Sequence, residues 1–197
     1  MIDAELEKYV RFARFSLSDA ISNISNEKLF LLCKLVLDDP RFTNGYGSKD
    51  KHHSYLGGLI VHTNEVMDNA LAIIESRGIV EDIDLDNIIT AIIWHDYAKI
   101  FDYELINGKI EKTDHHKKLG HLVHSYGMFT TEAKRLKVDD KTIDEIGHIL
   151  LSHHGIRDWG STTEPQTIDA LIVHCADNLS AKFGQLSYTQ WNQKESK

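Results

Sequence analysis

Apolar positions recur along most of the chain at three- and four-residue spacing, the pattern of helices that bury one face. The spacing predicts an amphipathic helix over about residues 3–22. A second, over 26–38, carries Leu29, Leu32, Cys33, Val36 and Leu37 on one face and stops before Pro40. Residues 39–55 read as a loop holding Gly45, Gly47, His52 and His53. A third helix, over 56–77, turns Leu59, Val66, Ala70, Ile73 and Ile74 inward. The fourth, over 85–99, is apolar almost all round through Ile88, Ile89, Ala91, Ile92, Ile93 and Trp94, as expected of a central buried helix. The pattern then changes. Over 101–112 alternating residues flank Asn107-Gly108, a dipeptide suited to the positive φ angles of a type I′ turn, and this predicts a small hairpin. Helices resume over 114–136, 140–152 and 164–186. The last starts at a capping box, Thr163-x-x-Gln166, with Pro165 in its first turn. Its inward face is expected to be Ile168, Leu171, Ile172, Cys175, Leu179 and Phe183. The expected fold class is all-α with one hairpin.

Composition narrows the class. With 197 residues, 42% hydrophobic and 26% charged, the chain has the makeup of one globular domain. Its acidic start, Met1 to Glu7, is unlike a basic secretory signal. No apolar run approaches the roughly 20 residues of a membrane span, so no membrane partner is expected. Cys33 and Cys175 fall in apolar helical contexts and read as buried thiols of a cytoplasmic protein. The net charge of −8, from 22 basic and 30 acidic residues, argues against a large nucleic-acid footprint. It leaves room for a small nucleotide or a short single strand reaching a metal.

The unusual count is 12 histidines, and they cluster. His62 shares a helix face with Leu59 and Val66. His95 and Asp96 close the apolar fourth helix. His121 precedes His124 by one turn, His153-His154 follow the sixth helix, and Asp177 lies among Ile172, Cys175 and Leu179. Any one of these is most simply a core histidine with a local partner. Together, five segments bring imidazole or carboxylate to inward positions near helix ends, and burying so many unmatched polar groups would cost several kcal/mol each. A shared divalent metal, one ion or two, removes that cost. Imidazole and carboxylate without cysteine suit Mn, Fe, Co, Ni or Zn better than an all-oxygen Ca site, and Mg is not excluded.

The order His62, His95-Asp96, His121, His153-His154, Asp177 resembles the HD superfamily of metal-dependent phosphohydrolases. The flanking residues are most similar to the HD domain of bacterial 3′-to-5′ exoribonucleases. These are His52-His53-Ser54-Tyr55-Leu56-Gly57-Gly58-Leu59-Ile60-Val61-His62-Thr63, Trp94-His95-Asp96-Tyr97-Ala98-Lys99-Ile100, Leu119-Gly120-His121, Ser152-His153-His154-Gly155-Ile156-Arg157-Asp158-Trp159-Gly160-Ser161 and His174-Cys175-Ala176-Asp177-Asn178-Leu179. The resemblance covers about residues 27–184 and does not include the OB-type nucleic-acid domain those enzymes carry. Ala98 stands where the family has glycine, Thr162 where it often has proline, and Ser180 where a second aspartate is usual.

The resemblance implies an HD-type helical bundle over 1–197: an N-terminal helix over 1–25, a core over 26–186 and a tail over 187–197. It implies that His62, His95, Asp96 and Asp177 hold a first metal, and that His121 with one or both of His153 and His154 completes a second, Asp96 bridging. Asp96, Lys99 and His121 are the expected catalytic residues, with Lys99 neutralising a phosphate oxygen unless it is only a solvated helix-end lysine. His52, His53 and Arg157 are candidate substrate contacts, His116 and His124 candidate leaving-group acids. Trp159 either stacks on a base or packs. Gly57-Gly58 are expected to allow a tight loop-to-helix turn and not to cradle phosphate. The implied activity is phosphodiester hydrolysis on nucleotides or short RNA ends. The alternatives are a nucleotide phosphohydrolase, a cyclic-nucleotide phosphodiesterase, or a non-catalytic nucleotide-sensing module. A homo-oligomer is compatible with the sequence.

Overall fold

The computed structural model describes the backbone of residues 4–195, with side chains described over 7–79 and 81–186. Its elements in order are α1 (Ala4–Ser22), α2 (Glu27–Leu37), α3 (Pro40–Thr43), α4 (Gly58–Arg77), α5 (Leu85–Trp94), β1 (Tyr103–Ile106), β2 (Lys109–Lys112), α6 (Asp114–Lys118), α7 (His121–Arg135), α8 (Asp140–Ser152) and α9 (Ile168–Glu195). Short 3₁₀ turns lie at Val80–Asp82, Tyr97–Phe101 and Arg157–Trp159. Several starts are capped as their sequences suggest: the side chains of Asn26, Asp84 and Asp139 accept backbone N–H groups of Lys28, Asn87 and Thr142.

The bundle is organised around two helices. α4 packs between α1 and α9, while α5 packs against α2, α8 and α9. Every apolar residue of α5 from Ile88 to Trp94 is buried. Trp94 sets its ring against Phe129 of α7 and against Tyr97, with centroids 5.8 and 5.2 Å away. The predicted inward face of α2 is buried in full. The hairpin forms where expected, pairing Tyr103 with Lys112 and Ile106 with Lys109. Asn107 and Gly108 take φ of 51° and 77°, as a type I′ turn requires. None of the described helices is long and apolar enough to cross a membrane.

Five local expectations fail for identifiable reasons. The fourth helix stops at Trp94, not at 99, and His95-Asp96 form a turn leading into the 3₁₀ segment. The helix expected over 114–136 divides at Leu119-Gly120, because Gly120 takes φ 68° and ψ 163°, outside helical space. The last helix begins at Ile168, and Thr167 caps it by accepting the Ala170 N–H at 3.2 Å. Thr163 to Gln166 therefore form no capping box. The backbone expected as a tail from residue 187 continues α9 to Glu195.

The fifth failure concerns which side of α9 faces in. Of the six residues expected inside, only Ile172 is buried; Leu171 is 53% and Phe183 66% exposed. The buried side carries Ala170, Val173, Ala176, Asp177 and Ser180. α9 lies close against α4, and close helix packing selects small residues and the polar groups of the site over bulk. Cys175 is consequently exposed, against the expectation of two buried thiols, while Cys33 is fully buried and its thiol is pushed up to about 12 by desolvation. The native protein should therefore label at one thiol with a maleimide or iodoacetamide at pH 8. Cys175→Ser should remove that labelling. Labelling of Cys33 at a comparable rate, read by mass spectrometry, would contradict this orientation of α9.

Candidate metal centre

Each polar group of the centre is aimed by a specific backbone feature. His62 projects from α4 and is fully buried. At the end of α5 the α-helix breaks, and this break decides the geometry. Successive residues of a continuous helix diverge by about 100°, whereas the turn lets His95 and Asp96 face one point. Ser125 of α7 holds the turn in place by accepting the Ala98 N–H at 3.0 Å. His121 opens α7, His153-His154 follow the last turn of α8, and Asp177 comes from the small-residue side of α9.

The donor atoms converge on Asp96. His62 Nε2 lies 3.0 Å from Asp177 Oδ1 and 3.4 Å from Asp96 Oδ2, and His95 Nε2 lies 3.3 Å from the same Asp96 oxygen. The two Nε2 atoms are 3.5 Å apart. The other Asp96 oxygen, Oδ1, faces His121 Nε2 at 3.3 Å and His153 Nε2 at 3.9 Å, with His154 Nε2 3.4 Å from His121 Nε2. Ligands about 2.1 Å from one ion lie between about 3.0 and 4.2 Å from each other according to the angle they subtend, and these separations fall in that range, His95 Nε2 to Asp177 Oδ1 at 4.0 Å being the widest. Asp96 Oδ1 and His153 Nε2 are buried without a hydrogen-bond partner. Such orphaned atoms are costly unless a cation receives their lone pairs, and the residues present therefore fit a divalent metal.

The outer nitrogens are held as metal ligands require. His95 Nδ1 donates to the Ile92 carbonyl at 2.6 Å, and His153 Nδ1 to that of Leu150 at 2.7 Å. For His62 the anchor is a relay absent from the expectations above. Ser180 gives its hydroxyl hydrogen to Glu65 Oε2 at 2.7 Å, so its oxygen accepts from His62 Nδ1 at 2.9 Å. Glu65 also receives His53 Nε2 at 3.2 Å. The sequence did carry a signal for Glu65: it lies three residues after His62, on the same helix face.

Charge follows from these contacts. Burial works against ionisation of Asp96, but the Lys99 ammonium, then His95 and His121, outweigh it and hold the carboxyl well below the usual range. Asp177 is likewise held low against burial, chiefly by His62. Burial opposes charge on His62, yet Asp177 and Asp96 keep its imidazole up at about 9. His153 is pushed far down by burial, and His154 to about 4 by burial and by His121.

A cavity of about 200 Å³ opens on the centre. Asp96, Lys99, His154 and Asp177 line it from the centre itself, Lys51, His52 and Trp159 from outside. Lys99 is buried, not a solvated helix end, and its Nζ lies 2.5 Å from Asp96 Oδ2. His52 reaches the cavity. His53, at φ 50°, is buried behind it on Glu65, and Gly58 leaves no room for a Cβ, which would stand 2.0 Å from the His53 carbonyl. The tight loop-to-helix turn expected of Gly57-Gly58 is thus present. Arg157 is exposed and does not line the cavity, whereas Trp159 does and is not packed into the core. His116 is bonded to Asp102 at 2.7 Å and His124 to His115 at 2.8 Å, both away from the cavity. A larger cleft, of about 390 Å³, between α2 and α7 brings no histidine to its walls.

The profile of the HD domain matches residues 59–182, more than half of the chain and nearly all of this centre. The chain belongs to the HD-domain family. A protein named 3'-5' exoribonuclease YhaM from Geobacillus sp. (strain WCH70) is 28% identical over 166 residues, covering 83% of this chain and 48% of that protein. Another of the same name, from Shouchella clausii (strain KSM-K16), is 25% identical over 197 residues, covering 94% and 60% respectively. The HD chain thus spans about half to three fifths of these curated relatives. No solved structure matches it.

Two outcomes follow from the geometry. Ser180→Ala removes the acceptor for His62 Nδ1 and should weaken divalent-metal affinity by roughly 10- to 100-fold, the usual effect of losing such an outer partner. Unchanged affinity by calorimetry would show that the relay does not orient His62. The second outcome concerns pH. The raised His62 value adds to the stability of the metal-free protein below its ordinary 6.5, and that contribution is lost as pH rises through about 9. A metal needs the neutral nitrogen, so binding at pH 7 expels that proton and affinity climbs over the same window. The Tm gain on adding Mn to chelator-treated protein should be larger at pH 8.5 than at 6.5; a smaller gain would contradict the assignment.

Proposed function

We propose that this HD chain is a metal-dependent phosphodiesterase acting on nucleotides or on the ends of short oligonucleotides. The observation that carries the reading is Asp96: one carboxylate whose two oxygens face two histidine sets, with Oδ1 and a facing imidazole nitrogen buried and unpartnered. The relatives named exoribonucleases support a phosphodiester of RNA as the bond cleaved. The net charge of −8 and a cavity of about 200 Å³ favour a short strand or a single nucleotide over a long one.

In this reading His62, His95, Asp96 and Asp177 would hold one ion, and His121, His153 and His154, together with Asp96, a second. When bound, such ions supply Lewis acidity toward water and toward phosphoryl oxygens. The rest falls to the chain. Lys99 keeps its charge because Asp96 outweighs the penalty of its burial, and its ammonium offsets phosphate charge inside the cavity. His52 is neutral, pushed down to about 2 chiefly by burial. His53 gives its Nε2 hydrogen to Glu65, so its Nδ1 accepts the Nδ1 hydrogen of His52 at 3.0 Å. His52 Nε2 is then an acceptor, suited to a substrate hydroxyl and not to a bare phosphate oxygen.

Protein purified without chelator should hold one to two equivalents of Mn, Fe, Co, Ni or Zn and cleave a dinucleotide or short RNA in a metal-dependent way. Asp96→Ala should lose most metal and all measurable cleavage. Lys99→Ala should keep its metal while the rate falls roughly 100-fold, the scale of losing one charge-stabilising donor. Absence of stoichiometric metal, or cleavage by Asp96→Ala at the parent rate, would sink the reading.

A further inference from the structure

Trp159 is the large aromatic side chain of the cavity. It is 53% exposed, yet it shares the cavity with Asp96, Asp177 and His154. The backbone that carries it is anchored. The Trp159 N–H donates to the Ile156 carbonyl at 3.0 Å, that of Gly160 to Arg157 at 2.9 Å, and that of Thr162 to Leu151 of α8 at 3.0 Å. The short segment after His154 is thereby tied to the helix that delivers His153-His154. From α9, His174 sets its ring 6.4 Å from the indole, and His174 Nδ1 donates to the His153 carbonyl at 2.8 Å. Lys182 Nζ lies 5.9 Å from the indole centroid, so the ring already takes a cation on its electron-rich face. Lys182 follows Asn178 and Ala181, which line the same cavity from α9.

An exposed indole on an anchored segment beside a set of phosphate-capable groups, with Lys51 and Lys99 lining the same cavity and Lys182 over the ring, is the combination that receives a base and its phosphate together. We infer that Trp159 is a nucleobase platform, so that the cavity selects phosphoesters bearing a base over those with sugar and phosphate alone. This deepens the function proposed above and rests on it for the phosphate end of the ligand. Trp159 is a binding residue here, with no part in bond cleavage.

The test compares adenosine 5′-monophosphate with ribose 5-phosphate, which lacks the base, on the full metal-loaded chain by calorimetry. Stacking on an exposed aromatic adds about 1–3 kcal/mol per base, so the parent should prefer the nucleotide by roughly 5- to 140-fold. Trp159→Ala should collapse that ratio toward one, and Trp159→Phe should restore most of it. A merely structural role would weaken both ligands together and leave the ratio unchanged. Equal affinities in the parent, or a preference surviving in Trp159→Ala, overturn the platform. Dinucleotide cleavage is read separately: base-dependent binding without cleavage would refute the proposed activity while upholding the platform.

Discussion

The structure depends on one buried carboxylate. Asp96 is 2% exposed and surrounded by imidazole nitrogens from α4, α7 and α8, by its neighbour His95, and by the Lys99 ammonium. An ionised carboxylate in that position costs several kcal/mol unless positive charge and hydrogen bonds compensate it. The bundle meets that demand from every side, and the elements are placed accordingly. α5 carries no polar residue inward along its length except Asn87 and Thr90, yet at its end it turns two polar residues to one point.

The surrounding hydrogen bonds do the remaining positioning. Two histidines of the centre, His95 and His153, are steered by carbonyls three residues back on their own helices, a local device available at any helix end. His62 lies in the second turn of α4, where the carbonyls behind it are already used, and needs side chains from two helices instead. Glu65 and Ser180 supply them. The negative charge comes one hydrogen bond beyond Ser180, from Glu65, and its carboxylate is held low against burial by His53 and Ser180. The same carboxylate fixes the tautomers of His53 and, through it, of His52 at the cavity.

α9 serves two surfaces. One side closes the centre with Asp177 and Ser180 and packs on α4 through Ala170, Val173 and Ala176; the other displays Leu171, Leu179 and Phe183 to solvent. Hydrophobic bulk and burial are therefore uncoupled on this helix. The side that approaches the site had to be narrow enough for His62 and Asp177 to come within 3.0 Å.

Much of this was legible in the sequence. Periodicity located α2, α4 and α8 nearly to their ends and the start of α5, and Asn107-Gly108 marked the hairpin, because helix faces and turn conformations are set by neighbours within four residues. The histidines and aspartates of the centre were recognisable by their inward positions at helix ends. Other features were decided only in three dimensions. The break at His95-Asp96 comes within an apolar stretch whose local propensity favours a longer helix, whereas the division at Gly120 uses a glycine's freedom to leave helical space. The inward side of α9 was misread because apolarity cannot distinguish a core face from one left exposed, whereas the distance to α4 can. Ser180 at the end of the His62 relay and the outward turn of Trp159 are likewise tertiary facts. Each depends on what another segment, far away in the chain, presents at hydrogen-bonding range, and spacing within a segment holds no record of that.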